Sequence, residues 1–234
     1  MNELVWQNAK VWFFDLDDTL YKTESIYALG LERAFAVFYK TSGASITWDE
    51  FSSQYQVARE EVKVQLGQSP ACRNRLLYFK RMLESFGICA LAPLALAMDN
   101  AYTSAYHEID FDPARTLLKM LRTRAKIALL TNQTCQAQLE KVSRLDPRGE
   151  LIQWIITSEE AGSEKPAESF FKFALARTGC RAEEAVMVGD DWNNDIEGAI
   201  ALGISAIFLN ADQKSKRSSI PHFKSMEDLC STLL

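Results

Sequence analysis

Histidine is nearly missing from this sequence. His107 and His222 are the only two in 234 residues, and neither has a second His or a Cys at ligand spacing. That excludes a histidine-based zinc centre. Cysteines are few and scattered: Cys72, Cys89, Cys135, Cys180 and Cys230 are odd in number, widely spaced, and form no C-x-x-C. They read as reduced thiols of a cytosolic protein, not as a disulfide framework. Positive charge is not in excess. The net charge is −5, so no broad basic field is available to hold nucleic acid. The short run Lys214, Lys216, Arg217 sits among serines and reads as a solvated loop. Long apolar runs are absent as well. The longest mostly apolar stretch, residues 88–98, is too short to span a bilayer and contains Pro93. The leading MNELVWQNAKVWFFD lacks the basic segment, apolar run and cleavage site of a secretory signal. The expectation is a cytoplasmic protein, monomer or homodimer, with neither membrane nor nucleic acid as partner.

What is present is ordinary globular composition, 47% hydrophobic and 24% charged. This length suits one large domain, or one domain carrying a smaller insert. The run VWFFD at 11–15 is short, apolar and ends in an acid. Such a run suits a buried parallel strand that delivers a polar residue at its C-terminal end. Segments 126–131 (KIALLT), 152–157 (IQWIIT), 185–190 (AVMVGD) and 205–209 (SAIFL) resemble it. Helical patterns fall between them at 113–124, 134–145, 167–178 and 194–202. Alternation of this kind predicts an α/β fold, a Rossmann-like parallel sheet covered on both faces. Residues 23–110 break the rhythm with helical faces and no clear strand. Ile26, Leu29, Leu31, Ala34, Phe35 and Phe38 make one face. Trp48, Phe51, Tyr55 and Ala58 make a second, with Thr47 as N-cap. Leu76, Leu77, Phe79, Lys80 and Leu83 suggest a third face, and 94–106 a fourth. The domain reading is therefore a discontinuous core of 1–22 and 111–234, with a helical insert at 23–110.

Four segments at strand ends carry the chemistry. They are Asp15-Leu16-Asp17-Asp18-Thr19-Leu20, then Leu130-Thr131-Asn132, then Glu164-Lys165-Pro166, and finally Gly189-Asp190-Asp191 with Asn194-Asp195. In a parallel sheet these ends share one edge, where ligands bind. Asp15, Asp17, Asp190, Asp191 and Asp195 gathered there would repel unless a cation compensates. An all-oxygen set favours Mg²⁺. Lys165 and the Thr131 hydroxyl add positive charge and a donor, which suits a phosphoryl group. A carboxylate can itself be the nucleophile of an aspartyl-phosphate. Each segment alone also fits a solvated loop, a helix cap or a turn. Their joint order at strand ends argues against coincidence.

Together the four segments resemble the four motifs of the haloacid dehalogenase-like (HAD) superfamily, across essentially the whole chain. The helical insert resembles the α-helical cap of that superfamily's first subclass, as does the stretch DIEGAIALGISAIFLN. The resemblance implies Asp15 as nucleophile and Asp17 as general acid/base. It implies Mg²⁺ held by the Asp15 and Asp190 side chains and the Asp17 backbone carbonyl, with Asp195 supporting indirectly. Thr131 and the backbone around Asn132 would bind phosphate oxygens, and Lys165 would neutralise nucleophile and phosphate. The namesake dehalogenases carry no acid where Asp17 stands, so its presence points to phosphoryl chemistry.

The implied activity is Mg²⁺-dependent hydrolysis of a small phosphomonoester. The segments VWFFDLDDTLY, LLTNQ and TSEEAGSEKP resemble the small 5′-nucleotidases, so a nucleoside 5′-monophosphate is one candidate substrate. Phosphoglycolate and sugar phosphates are the alternatives. A non-hydrolytic binding protein and a haloacid dehalogenase are readings from other classes. Substrate choice is expected to lie in the insert and around Trp192, with Tyr21 and Tyr27 either facing the crevice or packing.

Overall fold

The computed structural model describes residues 6, 7, 9–43, 45–67, 69–88, 91–210 and 219–233. The basic run at 214–217 and Cys89 lie outside the described residues. Contacts divide the chain into two compact units, Met1–Lys22 with Asp110–Leu234, and Thr23–Ile109. Asp110 thus groups with the sheet unit and not with the insert. Its carboxylate accepts the Asp112 N–H at 2.9 Å, at the start of the helix that follows.

The first unit begins with β1 (Val11–Phe14), whose four residues are all buried. The second unit follows with α1 (Glu24–Ser42), α2 (Trp48–Leu66), α3 (Arg75–Ser85) and α4 (Leu91–Thr103). The chain then returns through α5 (Asp112–Arg122), β2 (Lys126–Thr131), α6 (Cys135–Leu145) and β3 (Trp154–Thr157). It continues through α7 (Ser158–Ala161), α8 (Glu168–Thr178), β4 (Ala185–Gly189) and a π-helical turn (Trp192–Glu197). It closes with α9 (Gly198–Ala201), β5 (Ser205–Leu209), β6 (His222–Phe223) and α10 (Met226–Leu233).

The six strands form one parallel sheet in the order β3-β2-β1-β4-β5-β6. β1, β2 and β4 read as continuous apolar runs because helices cover both faces of the sheet. Val11, Phe13, Ala128, Leu130, Met187, Phe170 and Phe171 share one core cluster. Phe14 pairs with Leu129 on one side and Val188 on the other. The next step along the register sets Asp15, directly after β1, beside the C-terminal ends of β2 and β4. Chain order reverses about β1, and this is where open α/β sheets leave a crevice. Two differences from the sequence reading have local causes. β6 has only two residues, too few for a periodic signal. The helix expected at 194–202 splits into the π-helical turn and α9.

The inserted unit is entirely helical among its described residues. α1 packs on α4 closely enough that a Cβ on Gly30 would lie 3.0 Å from the Tyr102 ring and carbonyl. α2 buries Phe51, Tyr55, Ala58 and Val62, whereas Trp48 is 37% exposed and leans on Phe35. α3 buries Tyr78, Phe79, Met82 and Leu83, while Lys80 turns outward to Glu84. The expected cap at Thr47 is a full capping box. Its hydroxyl accepts from Glu50 N–H, and the Glu50 carboxylate accepts from Thr47 N–H at 2.8 Å. Replacing Thr47 with Ala removes one half of that exchange. The expected loss is about 1 kcal/mol of stability, read as a lower urea midpoint at unchanged slope.

Candidate active site

β1 delivers Asp15 at its C-terminal end, where the Asp15 N–H donates to Val188 O at 3.0 Å. Asp15 is 8% exposed. Beside it lies Lys165, 3% exposed, on the segment between α7 and α8. Its ammonium donates to three acceptors: Asp15 Oδ1 at 2.6 Å, Asp195 Oδ1 at 2.7 Å and Leu130 O at 2.7 Å. Burial opposes that charge, but the two carboxylates prevail and hold the ammonium well above the usual lysine range.

Lys165 is located by Asn132. The Asn132 amide donates to Lys165 O at 2.8 Å and accepts the Lys165 N–H at 2.8 Å. This is the exchange two strands would make, performed by a side chain. The Asn132 side chain is therefore engaged with the lysine segment. Thr131, 2% exposed, ends β2. Its hydroxyl accepts from Gln138 Nε2 at 2.7 Å.

Asp190 follows β4. Its N–H donates to Thr19 Oγ1 at 3.1 Å, and Thr19 returns its one proton to Asp190 Oδ1 at 3.0 Å. Thr19 lies farther from Asp15 Oδ2, at 3.4 Å. Asp195, 1% exposed, uses both oxygens inside the protein, one on Lys165 and the other on the Asp191 N–H at 3.1 Å. It fits there because residue 189 is glycine; a Cβ at that position would overlap the Asp195 carboxylate. Asp191 is a cap. Its carboxylate accepts Asn193 N–H at 2.9 Å and Asn194 N–H at 3.0 Å at the start of the π-helical turn. Trp192 is 4% exposed and packs edge-on to Phe208, so it belongs to a core cluster.

Asp17 stands apart from the lysine. Lys141 Nζ donates to its Oδ1 at 2.7 Å, Gln138 Nε2 to its Oδ2 at 3.0 Å, and the Tyr21 hydroxyl also bonds Oδ1. Burial alone would raise this carboxyl, yet Lys141 with the two neutral donors holds it below its ordinary value. Sequence reasoning missed Thr19, Gln138 and Lys141, and it left Tyr21 undecided. Tyr21 packs edge-on to Phe111 and aims its hydroxyl at Asp17.

A family model for haloacid dehalogenase-like hydrolases matches residues 9–203. The chain belongs to that family. It is 39% identical over 214 residues to a ribulose-1,5-bisphosphate 5-phosphatase of Halopiger xanaduensis, covering 88% of this chain and 87% of the relative. It is 30% identical over 211 residues to a pyrimidine 5′-nucleotidase of Escherichia coli, covering 89% of each. Among solved structures, a 2-haloacid dehalogenase of Pseudomonas syringae superposes with a TM-score of 0.78 at 21% identity, covering 96% of this chain and 98% of that one. At that identity the likeness concerns the fold. No described helix is long and apolar enough to cross a membrane.

HAD hydrolases usually use a divalent metal, and the donor set here suits one. Asp15, Asp190 and Asp195 each bring a carboxylate oxygen to within 4.8 Å of the others. All donors are oxygen, the preference of a hard cation such as Mg²⁺. The single Lys165 ammonium serves Asp15 and Asp195, and Asp190 has no ion pair among the described residues. Burial, reinforced by the Asp15 charge, pushes Asp190 up to about 7. Burial, with Asp195 and Asp17 working against Lys165, pushes Asp15 up to about 7 as well.

The sign of the stability effect follows. Unfolded carboxyls titrate near 4 and these two near 7, so between those values the folded, metal-free chain holds more protons than the unfolded one. Its stability falls as pH rises across that window. A cation replaces those protons, so Mg²⁺ is expected to stabilise the protein more at pH 8 than at pH 5. At about 100 times its dissociation constant, it raises the melting temperature by roughly 5–10 °C at pH 8. Asp190→Asn removes most of that gain. Thermal unfolding with and without Mg²⁺ measures it, and equal shifts at both pH values would contradict the assignment.

Proposed function

We propose that this HAD-family phosphatase is Mg²⁺-dependent and hydrolyses a small phosphomonoester through an aspartyl-phosphate on Asp15. The observation that carries the reading is the division of labour between two carboxylates of one loop. Asp15 sits on the Lys165 ammonium at 2.6 Å, and Asp17 sits on an independent set of donors. A purely structural acid pair has no need of two separate environments, whereas a nucleophile and a proton carrier do.

In this reading Asp15 attacks phosphorus, and the P–O bond to the leaving group breaks as the Asp15–phosphorus bond forms. Asp17 gives its proton to the departing alkoxide. Asp17 then takes a proton from water, and that water cleaves the acyl-phosphate and frees Asp15. The resting charge of Asp17 suits the second step. For the first step, the arriving phosphate anion raises the proton affinity of Asp17. Lys165 offsets the repulsion between Asp15 and the phosphate, and Thr131 with the backbone at Asn132 orients its oxygens. Bound Mg²⁺, held by Asp15, Asp190 and the Asp17 carbonyl, would supply the remaining neutralising charge. The helical unit 23–109 is the proposed cap and the place where substrate choice is set. The substrate favoured is a sugar phosphate, on the strength of the 39% identical sugar-bisphosphate phosphatase. A nucleoside 5′-monophosphate is the second reading, favoured by the 30% identical nucleotidase.

Asp15→Asn is expected to abolish turnover and capture of beryllium fluoride, a phosphate mimic that binds an aspartate oxygen. Asp17→Asn is expected to keep that capture while losing about 10²–10⁴-fold in turnover of an alkyl phosphate. Equal capture by both variants would remove Asp15 as nucleophile. A panel of sugar phosphates and nucleoside 5′-monophosphates, compared by kcat/KM, decides between the two substrate readings. Loss of all activity on chelation, with recovery on adding Mg²⁺, checks the metal.

A further inference from the structure

α6 turns four residues inward at the spacing of one helix face: Gln138, Lys141, Val142 and Leu145. Val142 and Leu145 are ordinary core. Gln138 and Lys141 are an amide and an ammonium, and both are fully buried. Burying an ammonium is costly unless a specific partner receives it, so a face that only had to pack would carry aliphatic groups here. The receivers are two residues of the reaction centre. Lys141 holds one oxygen of Asp17, at 2.7 Å. Gln138 holds the other at 3.0 Å and reaches the Thr131 hydroxyl at 2.7 Å with the same nitrogen. A carboxylate only accepts, which fixes the amide with its nitrogen toward Asp17. Gln138 Oε1 is thereby left buried without a hydrogen-bond partner among the described residues.

We propose that Lys141 and Gln138 are positioning residues for proton transfer. They form a bracket on a rigid helix that fixes the Asp17 carboxyl relative to the Thr131 hydroxyl. The inference rests on the reading of Asp17 as the proton carrier. α6 starts four residues after Thr131, so the segment that presents the phosphate-binding hydroxyl also carries the bracket. Asp15 takes its ammonium from Lys165 instead, at 2.6 Å, so loss of the bracket should leave the attacking oxygen its own donor.

The test separates proton transfer from general damage by leaving group. Phosphoryl transfer to Asp15, read by kcat/KM, needs Asp17 when an alkoxide departs and does not need it when p-nitrophenolate departs. In Lys141→Met, kcat/KM for an alkyl phosphate is expected to fall at least about tenfold more than for p-nitrophenyl phosphate. With the aryl substrate, one enzyme equivalent of nitrophenolate is released in a burst, followed by slow turnover, because hydrolysis of the acyl-phosphate also needs Asp17. Asp17→Asn is measured alongside. If it lacks this split, the proton-carrier reading fails and the bracket with it. If it shows the split while Lys141→Met lowers both substrates alike, or neither, Lys141 is structural and the bracket is overturned with Asp17's role intact. Should Lys141→Met not fold, Gln138→Met carries the same expectation. Its weaker hold on phosphate through Thr131 affects both substrates and cancels in the ratio, so an unchanged ratio overturns the proposal there too.

Discussion

One buried ammonium organises the site. Lys165 reaches two carboxylates and a strand carbonyl at once, and each contact joins a segment distant in sequence: β1 through Asp15, β2 through Leu130, and the turn after β4 through Asp195. Removing that charge would leave two acids facing each other in a low-dielectric interior, where like charges repel most strongly. Keeping it still leaves three carboxylates facing one ammonium, so the cluster stays short of positive charge. Asn132 matters for the same reason. It holds the lysine's backbone, and thereby the reach of its side chain, through two hydrogen bonds of 2.8 Å.

The sheet supplies the rest of the precision. Parallel register brings Phe14 level with Leu129 and Val188, so the next residues emerge side by side without loops of adjustable length. Glycine at 189 then lets the Asp195 carboxylate lie against the strand end. The electrostatics divide into two compartments on this frame. Asp15, Asp190 and Asp195 surround Lys165 and remain short of cations, while Asp17 is matched to Lys141.

Much of this was readable in the sequence, and the failures have identifiable causes. β2 and β5 run over the residues expected, because a strand buried on both faces is written as an unbroken apolar run. Asp15 and Asp190 were legible because a polar residue directly after such a run falls at the sheet edge, whereas Lys165, between α7 and α8, stood out only as a Lys-Pro pair ahead of a helix. Lys141 and Gln138 were not recognised, although a signal was present. Positions 138, 141, 142 and 145 form one helical stripe, and the two polar members stand where apolar residues belong. Reading the helix for its amphipathic period alone hides them, since Lys and Gln are also good helix formers. Trp192 marked only a loop for substrate choice, and its own role was left open. In the structure its side chain packs on Phe208. Asp191 resembles its acidic neighbours in sequence, and only its bonds to Asn193 and Asn194 reveal it as a cap.

The placement of β1 has a consequence for how the protein is made. β1 leaves the ribosome well before both of its neighbours, β2 and β4, and β4 starts only at residue 185. The helical unit 23–109 can complete its own contacts long before then. During that interval VWFF has no strand on its β4 side, and an apolar strand with an open edge invites pairing with other chains. Asp190 and Asp195 come later still. A nascent chain therefore carries Asp15 well over a hundred residues before it acquires the acidic partners Asp190 and Asp195.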